Sequence, residues 1–117
     1  MSQIKTILVV EDNVDMAEIY RLTLQEQQFE VYLAHRAADA VSMLEQHRPD
    51  CILLDLTLPD GTVQSLQALR NHPALQSARV LVVSGRNDVD DLAKAYAANG
   101  YLRKPFDMDD LLALLRP

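Results

Sequence analysis

Cysteine is nearly absent from this sequence: Cys51 is the only one, so no internal disulfide can form. It lies in the middle of an apolar run, where a cysteine usually serves as a small buried hydrophobic residue. A reducing cytoplasm is the simplest setting for such a chain. Long apolar runs are also absent. No segment approaches the roughly 20 residues that span a bilayer, and the first residues do not form a secretory signal.

Positive charge is scarce. The chain has 11 lysines and arginines against 17 aspartates and glutamates, for a formal net charge of −6 and a pI near 4.8. Binding to nucleic acid or to an anionic membrane needs a clustered basic face, so we expect neither as a partner. The histidines, His35, His47 and His72, have no ligand-like spacing. We expect them on the surface and without a metal.

The remaining composition is that of a folded domain. Apolar residues make up 49% of the chain and charged residues 24%, which are ordinary globular values. At 117 residues the chain has the size of one domain, and no linker, repeat or low-complexity segment divides it. We therefore treat residues 1–117 as a single domain with its own core.

Apolar strands alternate with amphipathic helices along the chain. Asp88 and Asp107 are predicted N-caps of the fourth and fifth helices. The predicted strands cover residues 7–10, 29–34, 51–54, 80–83 and 101–103. The first helix is predicted over residues 14–28. The residues predicted to face the core are Val14, Ala17, Tyr20 and Leu24 in the first helix, Ala37, Ala40, Val41 and Leu44 in the second, Val63, Leu66 and Leu69 in the third, Val89, Leu92, Ala93, Tyr96 and Ala97 in the fourth, and Met108, Leu111, Leu112 and Leu115 in the fifth.

This alternation predicts a parallel sheet covered by helices on both faces. The first, third and fourth strands are continuously apolar, which places them at the centre, because central parallel strands are buried on both sides. With right-handed crossovers, the pattern predicts a flavodoxin-like (βα)5 three-layer sandwich of α/β class with strand order 2-1-3-4-5. Ligands of such sheets bind outside the carboxyl ends of the strands.

Charged and hydroxyl groups collect at those carboxyl ends. Glu11 and Asp12 follow the first strand, Asp55 the third, Ser84 the fourth and Lys104 the fifth. In a parallel sheet these ends share one edge, so we expect the side chains to converge. Three carboxylates at close range need a cation to neutralise them, which predicts a divalent metal with oxygen ligands. The arrangement suits a phosphoryl group arriving on an aspartate.

Together these residues resemble the receiver domain of bacterial two-component response regulators, in the chemotaxis-regulator-like superfamily. The resemblance covers essentially the whole chain. Each of its marks is weak alone, but all occur in the order and spacing of the family. The marks are the acidic pair Glu11-Asp12, Asp55 followed by Leu58-Pro59, the pair Ser84-Gly85, and the run from Tyr101 to Phe106.

The resemblance implies a phosphorylation-dependent signalling switch and not a metabolic enzyme. Asp55 would accept a phosphoryl group from a phosphohistidine on a histidine kinase or a histidine phosphotransfer protein. Asp12, Asp55 and the backbone carbonyl of Thr57 would hold Mg²⁺, with Glu11 acting mainly through a bound water. Lys104 would pair with Asp55 first and with the phosphoryl oxygens afterwards. The domain would catalyse only its own phosphorylation and dephosphorylation.

The resemblance also implies how the signal leaves the site. Ser84 would bond a phosphoryl oxygen and move inward, and Tyr101 would turn its ring into the space left behind. This would change the surface made by the fourth helix, fifth strand and fifth helix. A downstream effector protein, an attached output domain or a second copy of the chain would bind there. The Lys104–Pro105 peptide is expected to be cis, as in the family.

Two glycines that are usual in the family are replaced here. Val63 stands eight residues after Asp55, where a glycine is frequent, and Gly61 lies two residues earlier. The start of the third helix is therefore open. Ala97 replaces a glycine near the end of the fourth helix and leaves that end open as well. Neither change touches the phosphorylation site.

Simpler roles stay open for several of these residues. Glu11 and Asp12 are also typical of a helix start, where negative charge is favoured. Lys104 could be a solvated surface residue and Tyr101 plain edge-strand packing. The leucine-rich last helix fits a core role, or a core role plus a dimer face.

Three other functions compete with the phosphorylated switch. An atypical receiver would signal by protein binding alone. A haloacid-dehalogenase-like phosphatase also uses a strand-end aspartate and Mg²⁺, but it has Asp-x-Asp where this chain has Thr57 at the second position. A flavin carrier on the same fold would want a Ser/Thr-rich phosphate loop after the first strand, and Glu11 and Asp12 would repel the phosphate.

Overall fold

The computed structural model describes residues 3–116. The strands are β1 (Thr6–Val10), β2 (Glu30–Ala34), β3 (Cys51–Asp55), β4 (Arg79–Ser84) and β5 (Gly100–Arg103). The helices are α1 (Val14–Glu26), α2 (Ala37–Leu44), α3 (Val63–Arg70), α4 (Val89–Ala95) and α5 (Met108–Leu115), with a short 3₁₀ helix at Pro73–Leu75. All five strands are parallel and lie in the order β2-β1-β3-β4-β5. The predicted flavodoxin-like (βα)5 fold is confirmed.

The sheet is the middle of three layers. On one face, residues such as Leu8 and Ile52 pack with α2, α3 and α4. On the other face, Ile7 and Leu81 pack with α1 and α5. Successive strand residues point to opposite faces, so both faces of the central strands are covered and every residue of β3 is buried. The edge strands β2 and β5 are more exposed, as their polar sequences predict.

The prediction of a structural thiol is confirmed. Cys51 is fully buried in the core, and burial raises the pKa of its thiol to about 12. A thiol in this environment stays protonated and unreactive. Within residues 3–116, no helix is both long and apolar enough to cross a bilayer.

The histidines are half-buried, and the prediction that they lie on the surface was wrong in this respect. The His47 ring stacks on Tyr32 with ring centroids 4.4 Å apart. His72 caps the 3₁₀ helix, because its Nδ1 accepts the Ala74 amide at 3.0 Å. The rings of His47 and His72 therefore have local packing and capping roles.

Helices α1 and α4 both end on a left-handed residue that is not glycine. Gln28 has φ of 70° and Ala97 has φ of 51°. In both places the next amide, from Phe29 or Ala98, donates back to a carbonyl five residues earlier, at 3.1 and 2.8 Å. This is the Schellman arrangement, which usually takes glycine at the left-handed position. As a result α1 ends at Glu26, not at residue 28 as predicted, and Ala97 lies outside α4.

Three predictions about helix starts need correction. Val14 and Val63 were expected to face the core but are 65% and 71% exposed. Each is the first residue of its helix, ahead of the turn that reaches the sheet. Val63 begins α3 directly after Thr62, whose hydroxyl accepts the Ser65 amide at 3.0 Å. Asp88 stands at the N-cap position of α4 but makes no capping bond with its side chain.

We expect Ala97→Gly to stabilise the protein by about 1 kcal/mol, because a left-handed conformation costs an L-residue about that much and glycine almost nothing. Urea unfolding monitored by circular dichroism measures the change. Ala95→Gly is the matched control, since it makes the same substitution at the last residue of α4, which has a right-handed conformation. There the sign should reverse, with a loss of up to about 1 kcal/mol. A loss of stability at both positions would contradict the assigned backbone geometry.

Candidate functional site

The strand register brings the polar strand ends together. The pairs nearest the carboxyl edge are Val10 with Leu54, Asp55 with Val83, and Ser84 with Arg103. Glu11 and Lys104 each follow directly after one of these paired residues. The edge therefore carries the side chains predicted to converge there.

The carboxyl edge of the sheet is distinguished by its buried polar side chains. Within residues 3–116, the buried polar or charged side chains are Glu11, Asp55 and Ser84, which are 2%, 2% and 0% exposed. All three lie at the ends of adjacent central strands. Burying a carboxylate is costly unless a partner offsets the loss of hydration. Two buried carboxylates side by side therefore require a nearby cation.

Lys104 supplies that positive charge. Its Nζ lies 2.9 Å from Glu11 Oε1 and 3.0 Å from Asp55 Oδ2, so one ammonium bridges both carboxylates. Partial burial by itself would lower the pKa of Lys104. The bonds to Glu11 and Asp55 outweigh this effect and raise the pKa above its ordinary value. The ammonium thus stays charged throughout the physiological range.

Asp55 is held through both of its carboxylate oxygens. Oδ2 accepts from Lys104, while Oδ1 accepts the Thr57 amide at 2.8 Å and the Thr57 hydroxyl at 2.7 Å. Burial works to raise the pKa of Asp55, but these hydrogen bonds prevail and hold the pKa below its ordinary value. Asp55 is therefore an ionised carboxylate with a set orientation.

Glu11 differs from Asp55 in its balance of forces. Burial raises the pKa of Glu11 above its usual value, although Lys104 and the Asn13 amide both donate to its carboxylate. Asp12, next in the chain, is exposed. The acidic pair thus presents one carboxylate inside the protein and one at the surface.

The three carboxylates fit a divalent cation. Oxygens of Glu11, Asp12 and Asp55 all lie within 4.8 Å of one another. An octahedral Mg²⁺ with metal–oxygen distances of about 2.1 Å places its ligands about 3 to 4 Å apart, so small side-chain movements bring this set into range. Three carboxylates and one ammonium also leave two formal negative charges when all are ionised. The donor type and the net charge both match a hard divalent ion.

The other predicted site residues, Ser84 and Tyr101, differ in their exposure to solvent. Ser84 is buried at the end of β4, where its hydroxyl accepts the Arg86 amide at 3.1 Å and its carbonyl accepts the Lys104 amide at 2.9 Å. Arg86 pairs with Asp88 at 2.9 Å, which takes up the carboxylate expected to cap α4. Tyr101 on β5 is 47% exposed. Its ring is not part of the acidic cluster.

The predicted cis peptide between Lys104 and Pro105 is confirmed. Two neighbours of the site were not predicted. Asn13 is the N-cap of α1, and its position just before a helical apolar pattern is a recognised signal that could have identified it. His35 Nδ1 lies 3.0 Å from the Glu11 carbonyl. Residues so far apart in sequence leave no local signal of this contact.

Comparison with known proteins agrees with this geometry. The model of the response regulator receiver domain family matches residues 7–116. The transcriptional regulatory protein KdpE of Mycobacterium tuberculosis is 34% identical over 112 residues, which are 94% of this chain and 49% of that protein. The chain therefore spans about half the length of this curated relative.

Solved structures show the same fold. The chemotaxis response regulator CheY4 of Vibrio cholerae superposes with a TM-score of 0.85 at 26% identity, covering 97% of each chain. The receiver domain of the sensor histidine kinase PA1611 of Pseudomonas aeruginosa has a TM-score of 0.81 at 26% identity, covering 95% of this chain and 93% of that one. In that protein a magnesium ion is coordinated in the active-site cleft.

We expect Lys104→Met to lower the free energy of unfolding by about 2 to 3 kcal/mol in buffer free of divalent ions. Removing one partner of a buried ion pair typically costs somewhat more, but the Lys104 side chain is 32% exposed, and solvent screens part of the loss. Urea unfolding measures the effect. Lys94→Met, at an exposed position of α4, is the control and should change stability by less than about 0.5 kcal/mol. Equal losses in the two variants would show that the Lys104 ammonium does not support the buried carboxylates.

Proposed function

The chain belongs to the response regulator receiver domain family, and we propose that it is the phosphorylation-controlled switch of a two-component signalling pathway. In this proposal Asp55 accepts the phosphoryl group, and a histidine kinase or a histidine phosphotransfer protein donates it. The downstream partner is an effector protein or an output domain attached to the receiver.

The observation that carries the proposal is the state of Asp55. The residue is only 2% exposed, yet its carboxylate is ionised and held through both oxygens. A nucleophile needs this combination, because the charged form is the reactive one and a set orientation reduces the entropy lost on reaching in-line attack.

In the proposed reaction, an Asp55 oxygen forms a bond to phosphorus as the P–N bond of the phosphohistidine breaks. The electron pair of that bond leaves with the imidazole, which takes up a proton from water. Lys104 then exchanges its contact with Asp55 for a contact with the phosphoryl oxygens, which a flexible ammonium can follow. The Ser84 hydroxyl donates a hydrogen bond to another of these oxygens.

Asp12, Asp55 and the backbone carbonyl of Thr57 would hold Mg²⁺, and Glu11 would act mainly through a bound water, since this donor set suits the ion. Bound there, Mg²⁺ supplies positive charge that stabilises the transferring phosphoryl group. The protein contributes the placement of the ligands and the ammonium of Lys104. On this proposal the chain turns over no external metabolite and acts only on its own phosphorylation state.

The signal is proposed to leave the site through β4 and β5. Ser84 and Lys104 are joined through the backbone, because the Lys104 amide donates to the Ser84 carbonyl. Inward movement of Ser84 would open space for the exposed ring of Tyr101 and change the surface of α4, β5 and α5. That surface would bind the effector, the output domain or a second copy of the chain. We place this exchange in the cytoplasm, as is usual for the family, with neither nucleic acid nor membrane as a partner of this domain.

A receiver that acts by binding alone is the remaining alternative within the family. The intact acidic cluster and the Lys104 bridge favour phosphorylation, since binding alone would not require two buried carboxylates. Family membership removes the phosphatase and the flavin carrier.

Intact-protein mass after incubation with acetyl phosphate and Mg²⁺ tests the acceptor. We expect the gain of one phosphoryl group, its absence in Asp55→Asn, and its loss when EDTA removes the metal. Asp39→Asn, an exposed acid of α2, is the matched control and should gain the group as the wild type does. No gain in the wild type under any condition would support the receiver that acts by binding alone.

The proposed movement of Tyr101 has its own test. In protein labelled with fluorotyrosine, a stable phosphoryl mimic such as beryllofluoride with Mg²⁺ should shift the ¹⁹F resonance of Tyr101 and reduce its sensitivity to solvent. Tyr101→Phe assigns that resonance. Tyr32 serves as the internal reference, because its hydroxyl bonds to Glu30 on the far edge strand and should not respond. A Tyr101 signal that stays solvent-exposed in the activated protein would exclude the ring movement.

A further inference from the structure

A hydrogen-bonded brace joins α2 to the loop that follows Asp55. Asp60 lies in this loop, and its carboxylate oxygens accept the Ala37 and Ala38 amides at 2.8 and 3.1 Å. These amides are at the start of α2, whose own N-cap residue, Arg36, makes no capping bond with its side chain. Asp60 therefore caps α2 from a different loop of the protein.

The same end of α2 contacts the first acidic loop. His35 Nδ1 lies 3.0 Å from the carbonyl oxygen of Glu11. A carbonyl only accepts hydrogen bonds, so His35 donates here from a protonated Nδ1. The segment from His35 to Ala38 thus touches both of the loops that carry the carboxylates of the site.

Inside its loop, Asp60 is connected to Asp55 through a short, tightly turned segment. The Gly61 amide donates to the Leu58 carbonyl at 2.9 Å, and a Cβ at Gly61 would lie only 3.1 Å from that oxygen. At the other end of the segment, Thr57 donates its amide and hydroxyl to Asp55. Only four residues separate the two aspartates, and the ring of Pro59 fixes one of their backbone dihedral angles, so we expect a shift of Asp60 to reach Thr57.

We propose that Asp60 is a positioning residue of the site: by tying the loop to α2, it holds Thr57 and Asp55 where they bind Mg²⁺ and accept the phosphoryl group. The inference rests on the proposed function of the site. Residues that hydrogen-bond directly to metal ligands commonly change metal affinity by about tenfold or more when they are removed. Asp60 acts one step further from the ligands, through the loop, so we expect a change of several-fold, up to about tenfold.

A carboxylate suits this role better than an amide. Both oxygens of Asp60 accept an N–H, whereas asparagine would offer one oxygen and turn an NH₂ group toward the second amide. Negative charge is also favourable at a helix N-terminus. The hydrogen bond from the Ala37 amide, the largest influence, holds the pKa of Asp60 below its ordinary value. The brace is therefore intact throughout the neutral pH range.

Asp50 offers a matched control at the opposite edge of the sheet. Its carboxylate accepts the Lys5 and Thr6 amides at 2.8 and 3.1 Å, and so it ties the start of β1 to the start of β3. As at Asp60, one carboxylate accepts two backbone amides, although at Asp50 both amides donate to Oδ2 and at Asp60 one donates to each oxygen. The strands separate Asp50 from the site. Its removal should cost stability without moving the Asp55 loop.

The test compares Asp60→Ala and Asp60→Asn with Asp50→Ala and Asp50→Asn. Calorimetric titration with Mg²⁺ gives the affinity, and NMR gives the hydrogen-exchange rate of the Thr57 amide in metal-free protein. We expect Asp60→Ala to weaken Mg²⁺ binding by several-fold, up to about tenfold, and to raise the exchange rate of the Thr57 amide. Asp60→Asn should fall between this variant and the wild type. Both Asp50 variants should match the wild type in both measurements.

Circular dichroism establishes that each variant is folded, and Asp60→Asn carries the test if Asp60→Ala is not. Equal effects of the Asp60 and Asp50 variants would overturn the inference, since general loss of stability would then explain them. A wild-type Mg²⁺ affinity and a wild-type exchange rate of the Thr57 amide in Asp60→Ala would also overturn the inference. If the wild type neither binds Mg²⁺ nor accepts a phosphoryl group, the proposed function fails. The exchange rate of the Thr57 amide then still decides whether Asp60 positions the loop.

Discussion

One ammonium between two buried carboxylates is the constraint on which the rest of this structure depends. Glu11 directly follows β1 and Asp55 ends the adjacent strand β3, and Lys104 supplies the positive charge that both buried carboxylates share. Lys104 reaches them from the edge strand β5, across the end of β4. The order of the strands, and the helices that cover both faces, therefore serve to bring one cation to two anions that the chain places far apart in sequence.

The cluster of carboxylates around Lys104 is held together by hydrogen bonds, but it is not electrically neutral. With Asp12 at the surface, the cluster keeps an excess of negative charge that a divalent ion would remove. The surrounding groups hold Asp55 ionised, and Lys104 bonds directly to it. In the proposed switch, phosphorylation changes the charge on Asp55 and the Lys104 ammonium would follow the phosphoryl oxygens. The backbone bond from Lys104 to Ser84 would then connect this change to the surface of β5.

Predictions from sequence succeeded where the signal was periodic or lay at the end of a strand. Continuous apolar runs identified the central strands, and a polar residue after each run located the site. The predictions from sequence failed at the ends of helices. Gln28 and Ala97 take a left-handed conformation that favours glycine, because the Schellman hydrogen bonds and packing of the following residue outweigh the local preference. The prediction that Val63 faces the core was wrong for a related reason. Periodicity indicates which face of a helix is apolar, but not the turn at which that face first meets the sheet.

The sequence by itself determined the fold class, the strand order and the polar residues at the carboxyl ends of the strands, because burial periodicity and strand ends are visible as patterns along the chain. Tertiary structure alone decided the contacts that give those residues their charge states. Lys104 bonds to Glu11 across 93 residues of chain, and Asp60 caps α2 across 23. Such pairs form only when the sheet closes, and their strength depends on burial and on distances near 3 Å. A linear pattern of residues contains neither quantity.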